Sequence, residues 1–143
     1  NAGKWYYIDM RGKIVFPTGY DYAEEFSESL ALVRVEGKIG YIDKNGVYVI
    51  APRFDNGESF SEGLAAVELR DRWGYIDKTG KFVIPLQFQE ASRFSNGVAG
   101  TRSLTPNYVY YKYIDKSGKA VALNAKIKVN VWMGAADCTP KGS

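Results

Sequence analysis

The sequence predicts an all-β fold made of tandem three-stranded antiparallel β-meanders. The first observation is a repeat: Tyr-Ile-Asp occurs four times, beginning at Tyr7, Tyr41, Tyr75 and Tyr113, with spacings of 34, 34 and 38 residues. The second is composition, since eleven tyrosines and fifteen glycines in 143 residues favour strands and tight turns over helices. The third is the alternation of apolar residues within each copy, which is typical of strands.

Residues 64–85 illustrate how one unit is built. Leu64–Leu69 is predicted as the first strand, Arg72–Asp77 as the second and Lys81–Ile84 as the third, with a tight turn after each of the first two. Pro85 is expected to end the third strand, because proline has no N–H to donate to a neighbour. A connecting segment that contains a Phe-Ser pair then leads to the next unit.

A glycine follows each Tyr-Ile-Asp at a fixed distance, which gives the pairs Asp9 and Gly12, Asp43 and Gly46, Asp77 and Gly80, and Asp115 and Gly118. An aspartate accepts backbone N–H groups across a turn and a glycine supplies positive φ, so all four pairs are predicted to form the same structural turn. Metal binding is the alternative, but a calcium loop needs several oxygen ligands close together. Here a lysine follows the aspartate in three of the four copies, and no second acid lies in the turn.

The units divide the chain into one repeat domain, residues 1–143. Their approximate bounds are 4–37, 38–71, 72–110 and 111–125, with a C-terminal strand and tail at 126–143. One unit is too small to bury a core alone, so the units must stack on one another. An open array is favoured over a propeller-like ring, because a propeller blade has four strands and about 40–45 residues.

No set of residues points to catalysis or to a cofactor. The chain contains no histidine, and its one cysteine, Cys138, has no partner base nearby in the sequence. Glutamates that could form a hydrolytic pair lie in the connecting segments, where solvated charge is the ordinary state: Glu24, Glu25, Glu28, Glu58, Glu62 and Glu90. The sequence therefore predicts a protein that is not an enzyme and needs no cofactor.

Charge and hydropathy argue against two classes of partner. The net charge of +3 comes from basic residues interleaved with acids, without the basic run that marks nucleic-acid binding. No apolar stretch approaches the roughly 18 residues of a membrane span. No secretory leader is recognisable either, so we expect any export signal to lie outside this sequence.

Aromatic residues outside the repeated positions are the candidates for partner binding. Tyr108, Tyr110 and Tyr111 lie in a predicted loop, 103–111, that interrupts the 34-residue period, and tyrosine is enriched at interfaces. Trp5 and Trp73 are instead predicted to be core residues, because each occupies a repeated position. The alternation in Lys126–Trp132 predicts a half-buried final strand.

The residues of the third copy resemble a known family. Residues 72–85 read RWGYIDKTGKFVIP and residues 94–97 read FSNG, which is similar to the bacterial WG (KWG) repeat over residues 4 to about 122. The Trp-Gly pair is intact only at Trp73-Gly74; the other copies read Trp5-Tyr6, Ile39-Gly40 and Tyr111-Lys112.

The resemblance implies a β-repeat scaffold for binding another protein, and it brings no shared catalytic residues. Repeat arrays present the extended surface that such binding uses. The alternative is a module that binds carbohydrate or the cell envelope, which the tyrosine content favours.

Overall fold

The computed structural model describes residues 3–122, and this range forms antiparallel β-sheet without a helix. It therefore offers no helix that could cross a membrane. The strands are β1 (Tyr22–Ala23), β2 (Ala31–Val35), β3 (Lys38–Ile42), β4 (Tyr48–Phe54), β5 (Asn56–Gly57), β6 (Ala65–Leu69), β7 (Arg72–Ile76), β8 (Phe82–Phe88), β9 (Glu90–Ala91), β10 (Ala99–Leu104) and β11 (Val109–Ile114).

The strands form three sheets in chain order. The first sheet runs β1-β2-β3-β4, the second β5-β6-β7-β8, and the third contains β9, β10 and β11. The predicted all-β fold of tandem meanders in an open array is confirmed. Each three-strand meander gains one strand of two residues from the preceding connecting segment, a pairing too short to be visible as alternation in the sequence.

The last strands of the first and second sheets continue past their prolines, so the prediction that Pro85 ends its strand is wrong. Trp73 pairs with Phe88 and Tyr75 with Ile84. Between these two pairs, β7 has one residue, Gly74, and β8 has three, so Pro85 lies in the resulting bulge. Proline is tolerated at a bulge because its missing N–H is not needed by the ladder there.

The core lies between the sheets. On β6, Ala65 and Val67 pack in a cluster shared with the first sheet, whereas Ala66 packs in a cluster shared with the third. The second sheet is thus covered on both faces, which explains why its strands carry apolar residues at successive positions. Burial between neighbours, and not within one unit, stabilises the array.

Trp5 is 52% exposed, so the prediction that it belongs to the core is wrong. The corresponding residue of the first sheet, Ile39, is 1% exposed. Residues 3–20 contribute only isolated bridges, which match the pairing of the last two strands of a complete sheet. Among the described residues, this unit therefore has no strand equivalent to β2 to lie beside Trp5. Trp73 is partly buried and packs against the core, as predicted.

The predicted final strand, Lys126–Trp132, and the lone Cys138 lie outside the described residues.

Candidate functional site

The four predicted turns share one hydrogen-bond pattern. In the first sheet, the Asp43 carboxylate accepts the backbone N–H of Asn45 at 2.8 Å and of Val47 at 3.0 Å. The N–H of Gly46 donates to the Asp43 carbonyl at 3.0 Å, and Gly46 has φ +79°. The same bonds recur at Asp9 and Gly12, at Asp77 and Gly80, and at Asp115 and Gly118, whose glycines have φ +81°, +90° and +88°.

In two of the turns a hydroxyl group adds a third donor to the Oδ1 atom of the aspartate. The hydroxyl of Thr79 donates to the Asp77 carboxylate at 2.6 Å, and Ser117 does the same for Asp115 at 2.5 Å. These hydroxyl bonds, with backbone N–H bonds beside them, hold the pKa of both carboxyls below the usual range. Within residues 3–122, no group of three or more acids or cysteines is placed to hold a metal ion.

A Gly80→Val variant is expected to lose roughly 2 kcal/mol of unfolding free energy, because a β-branched residue is strained at positive φ. A Cβ at Gly80 would also approach the Arg53 guanidinium and Ile50 at 3.3 Å. Urea denaturation measures the loss. Gly12→Val is the control, since its φ is similar but no atom lies within 4 Å of the added Cβ; its loss should be smaller. An unchanged midpoint for Gly80→Val would contradict the turn.

The segment with the candidate tyrosines is a longer hairpin and not the predicted loop. β10 and β11 pair from Ala99 and Ile114 out to Leu104 and Val109, and Thr105 to Tyr108 closes the turn. Tyr108 is 64% and Tyr111 is 41% exposed. The backbone of Tyr110 lies in β11 opposite Ser103, and its side chain is outside the described atoms.

The repeated polar residues join neighbouring sheets. Ser27 donates its hydroxyl to the Phe60 carbonyl, and Ser61 repeats this bond to Phe94, both at 2.7 Å. Tyr41 donates to the Glu58 carbonyl at 2.7 Å, and Tyr75 to the Ser92 carbonyl at 2.5 Å. Burial raises the pKa of both phenols. These positions are therefore used in stacking the sheets.

Two glutamates make a second set of bonds between sheets. The carboxylate of Glu28 accepts the backbone N–H of Glu62 and of Gly63, at 2.6 and 2.9 Å, and pairs with Lys78 at 3.5 Å. Glu62 repeats the arrangement one sheet later, on the N–H of Gly97 and the ammonium of Lys116. Both carboxylates therefore take part in the junctions between sheets.

Residues of the connecting segments, together with Trp5 and part of β10 and β11, line two cavities. The first, here the acidic cavity, has a volume of about 510 Å³ and is lined by Trp5, Tyr22, Ala23, Glu24, Glu25, Phe26, Ser27, Ser59 and Arg93. The second, here the basic cavity, has a volume of about 440 Å³ and is lined by Glu58, Glu90, Ala91, Ser92, Arg93, Gly100, Thr101, Arg102, Tyr111, Lys112 and Tyr113. Arg93 lines both, so the two cavities adjoin.

In the acidic cavity, two exposed rings stand next to carboxylates. Trp5 and Tyr22 make an edge-to-face contact with ring centroids 5.6 Å apart. The Glu24 carboxylate accepts the Ser59 hydroxyl at 2.7 Å and the Tyr22 hydroxyl at 3.1 Å. Burial and, next, the negative charge of Glu24 raise the pKa of Glu58, so these two carboxylates are close enough to repel each other.

The basic cavity carries the opposite balance of charge. Glu90 is already paired with the Arg102 guanidinium, whereas Arg93 and Lys112 form no ion pair with any residue in the range 3–122. Tyr111, one of the sequence-predicted tyrosines, forms part of the wall.

Sequence reasoning missed the acidic cavity as a site. The available signal was divergence at matched positions of the repeat: Glu24, Glu58 and Ser92 correspond to one another, as do Glu25, Ser59 and Arg93. Positions that pack the same core in every unit do not change charge in this way.

A family model described as WG containing repeat matches residues 7–38, 39–73 and 73–102. No curated protein and no solved structure matches the chain.

Proposed function

The chain belongs to the WG-containing repeat family, and from that premise we propose that it is a non-catalytic protein-interaction module. The partner lies along the acidic and basic cavities. This proposal rests on a difference between the repeated and the variable positions of the units. Repeated serine and tyrosine side chains, together with Glu28 and Glu62, are used to stack the sheets, whereas the variable positions of the connecting segments face solvent and can determine which partner binds.

The exposed aromatic residues at the cavities carry the proposal. Trp5 is 52%, Tyr22 39% and Tyr111 41% exposed. Large rings with a polar end are enriched at the energetic centres of protein interfaces, where they bury much area at little entropic cost. Each of these residues borders a concave surface that a partner segment can enter.

Binding without catalysis is supported by the chemistry of the two cavities. The chain contains no histidine, and the Glu24 carboxylate already accepts two hydroxyl hydrogen bonds. We take the Ser59 hydroxyl on Glu24 as part of a polar wall that holds a ligand and not as an activated nucleophile, because no histidine is present to serve as its base.

Carbohydrate binding is the second candidate, and the exposure of Trp5 favours it. An indole ring beside carboxylates can stack on a sugar while the acids accept bonds from its hydroxyl groups. The proposal and this alternative therefore concern the same cavity.

Photo-cross-linking distinguishes them. With p-benzoylphenylalanine in place of Tyr22, we expect a protease-sensitive adduct in a lysate of the source organism, because position 22 lies in the interface. Tyr48 is the matched control, since it is 40% exposed but lines neither cavity, and it should give no such adduct. Equal labelling at both positions would refute the site, and an adduct removed by glycan-degrading enzymes would favour the alternative.

A further inference from the structure

We propose that the acidic cavity takes a lysine or arginine side chain from an extended segment of the partner protein, next to Trp5, Tyr22 and Glu24. This inference deepens the proposed function and depends on it. It concerns the chemistry of the partner, which the family match leaves open.

The two aromatic rings form a corner and not a flat platform. The planes of Trp5 and Tyr22 meet at 67° with their centroids 5.6 Å apart. Coplanar rings suit the flat face of a sugar. Two rings at a steep angle can instead present the face of one ring to a cation, while polar groups next to the other ring accept its hydrogen bonds. A cation over an aromatic face is attracted by the ring quadrupole. The indole is the stronger of the two in this respect, and it is half exposed.

The carboxylates of the cavity have spare capacity for a cation. A carboxylate offers about four lone-pair sites, and Glu24 uses its oxygens for two neutral hydroxyl donors. Within residues 3–122, Glu28 and Glu62 at the sheet junctions form ion pairs, whereas Glu24 and Glu25 in the cavity do not.

The charge around the cavity is unbalanced towards acid. Glu24 and Glu25 line it together with Arg93 alone as a cation. Burial and, next, the negative charge of Glu24 raise the pKa of Glu58 in the adjoining cavity, although the charge of Arg93 opposes this rise. A ligand cation placed here relieves the repulsion between carboxylates, and this effect weakens as salt screens it.

The adjoining basic cavity indicates a polypeptide and not a free small cation. Arg93 belongs to both cavities, and Arg93 and Lys112, which form no ion pair within residues 3–122, place positive charge beside Glu58 further along the same surface. A ligand that fills both cavities carries a basic group at one end and an acidic group further along. An extended peptide segment meets this requirement, with Tyr111 as a second aromatic contact.

Selection from a phage-displayed library of random linear decapeptides tests the inference. The bait is the full 143-residue chain, and the best peptide is then measured against the variants by fluorescence anisotropy. We expect the enriched peptides to contain lysine or arginine. Glu24→Gln, which keeps the shape and one acceptor oxygen, should weaken binding by about tenfold, and the same loss should follow when norleucine replaces the lysine of the peptide.

Asp71→Asn is the matched control. It removes one negative charge from the exposed turn between β6 and β7, away from both cavities, and its φ of 64° suits asparagine. Binding should be unchanged in this variant and should weaken in the wild type as salt rises.

Three outcomes overturn the inference. Enriched peptides without basic residues, or equal binding by the wild type and Glu24→Gln, reject the cation site and leave the protein-interaction proposal intact. If no peptide is enriched, both the cation site and the protein-interaction proposal are rejected, whether or not the chain binds to an oligosaccharide array.

Discussion

A Gly74→Ala variant is expected to lose about 3 kcal/mol of unfolding free energy, because the added methyl group has no space. A Cβ at Gly74 would lie 2.6 Å from the Ile84 carbonyl oxygen and 2.9 Å from the Leu86 nitrogen. These are backbone atoms of the bulged strand β8, and they cannot move aside as a flexible side chain can. The clash therefore has to separate β7 from β8, and the loss is measured by urea denaturation monitored by circular dichroism.

Gly100→Ala provides the control for this experiment. A Cβ at Gly100 would meet only side chains, at 3.6 Å from Tyr113 and 3.7 Å from Ser92, which is ordinary van der Waals contact. Its φ also lies outside the left-handed region. The substitution should change stability by less than about 1 kcal/mol, since alanine also lowers the entropy of the unfolded chain. Similar losses in both variants would show that backbone approach is not the reason for glycine at position 74.

This close approach explains where the Trp-Gly glycine is retained. Gly40 and Gly74 lie in the two sheets whose last strand is fully formed and bulged, and a Cβ at Gly40 would meet the Pro52 nitrogen at 2.7 Å. At the matched positions of the irregular units the chain has Tyr6 and Lys112. The glycine of the family motif thus marks the places where the neighbouring strand comes closest. This could not be predicted from the sequence alone, because the register of the neighbouring strand is not visible there.

The turns were predictable because they are local. The Asp77 carboxylate binds donors that lie two and four residues further along, so the whole motif is contained within five consecutive residues. Strand bounds were less predictable where a bulge absorbs a proline, as at Pro85. A bulge changes which residues face each other without changing the apolar composition of either strand.

The exposure of Trp5 could not be read from its repeated position. Position within the repeat predicts what a residue packs against only when the neighbouring strands are present, and residues 3–20 supply only the last two strands of a sheet. The acidic cavity was hidden for a related reason. Glu24 and Ser59 meet at 2.7 Å although they are 35 residues apart, so the site exists only once the sheets have stacked.

Stacking itself is tested by Phe60→Ala, for which we expect a loss of about 3–5 kcal/mol, the usual cost of deleting a buried phenylalanine ring. Phe60 has no exposed surface and lies in the cluster between the first and second sheets. Its ring meets Tyr41 edge-on at 4.9 Å. The bond from Ser27 goes to the backbone carbonyl of Phe60, which alanine retains, so the substitution removes the ring and leaves the polar contact in place.

The location of the damage is as informative as its size. In a repeat array each unit is stabilised mainly by its neighbours, so hydrogen exchange should accelerate most in β3 and β6, on the two sides of the altered junction, and less in β10. Phe82→Ala is the control, since Phe82 is 36% exposed and should cost about 1 kcal/mol. If Phe60→Ala instead accelerated exchange equally in all three sheets, the array would unfold as one cooperative unit, and nearest-neighbour stacking would be the wrong description of its stability.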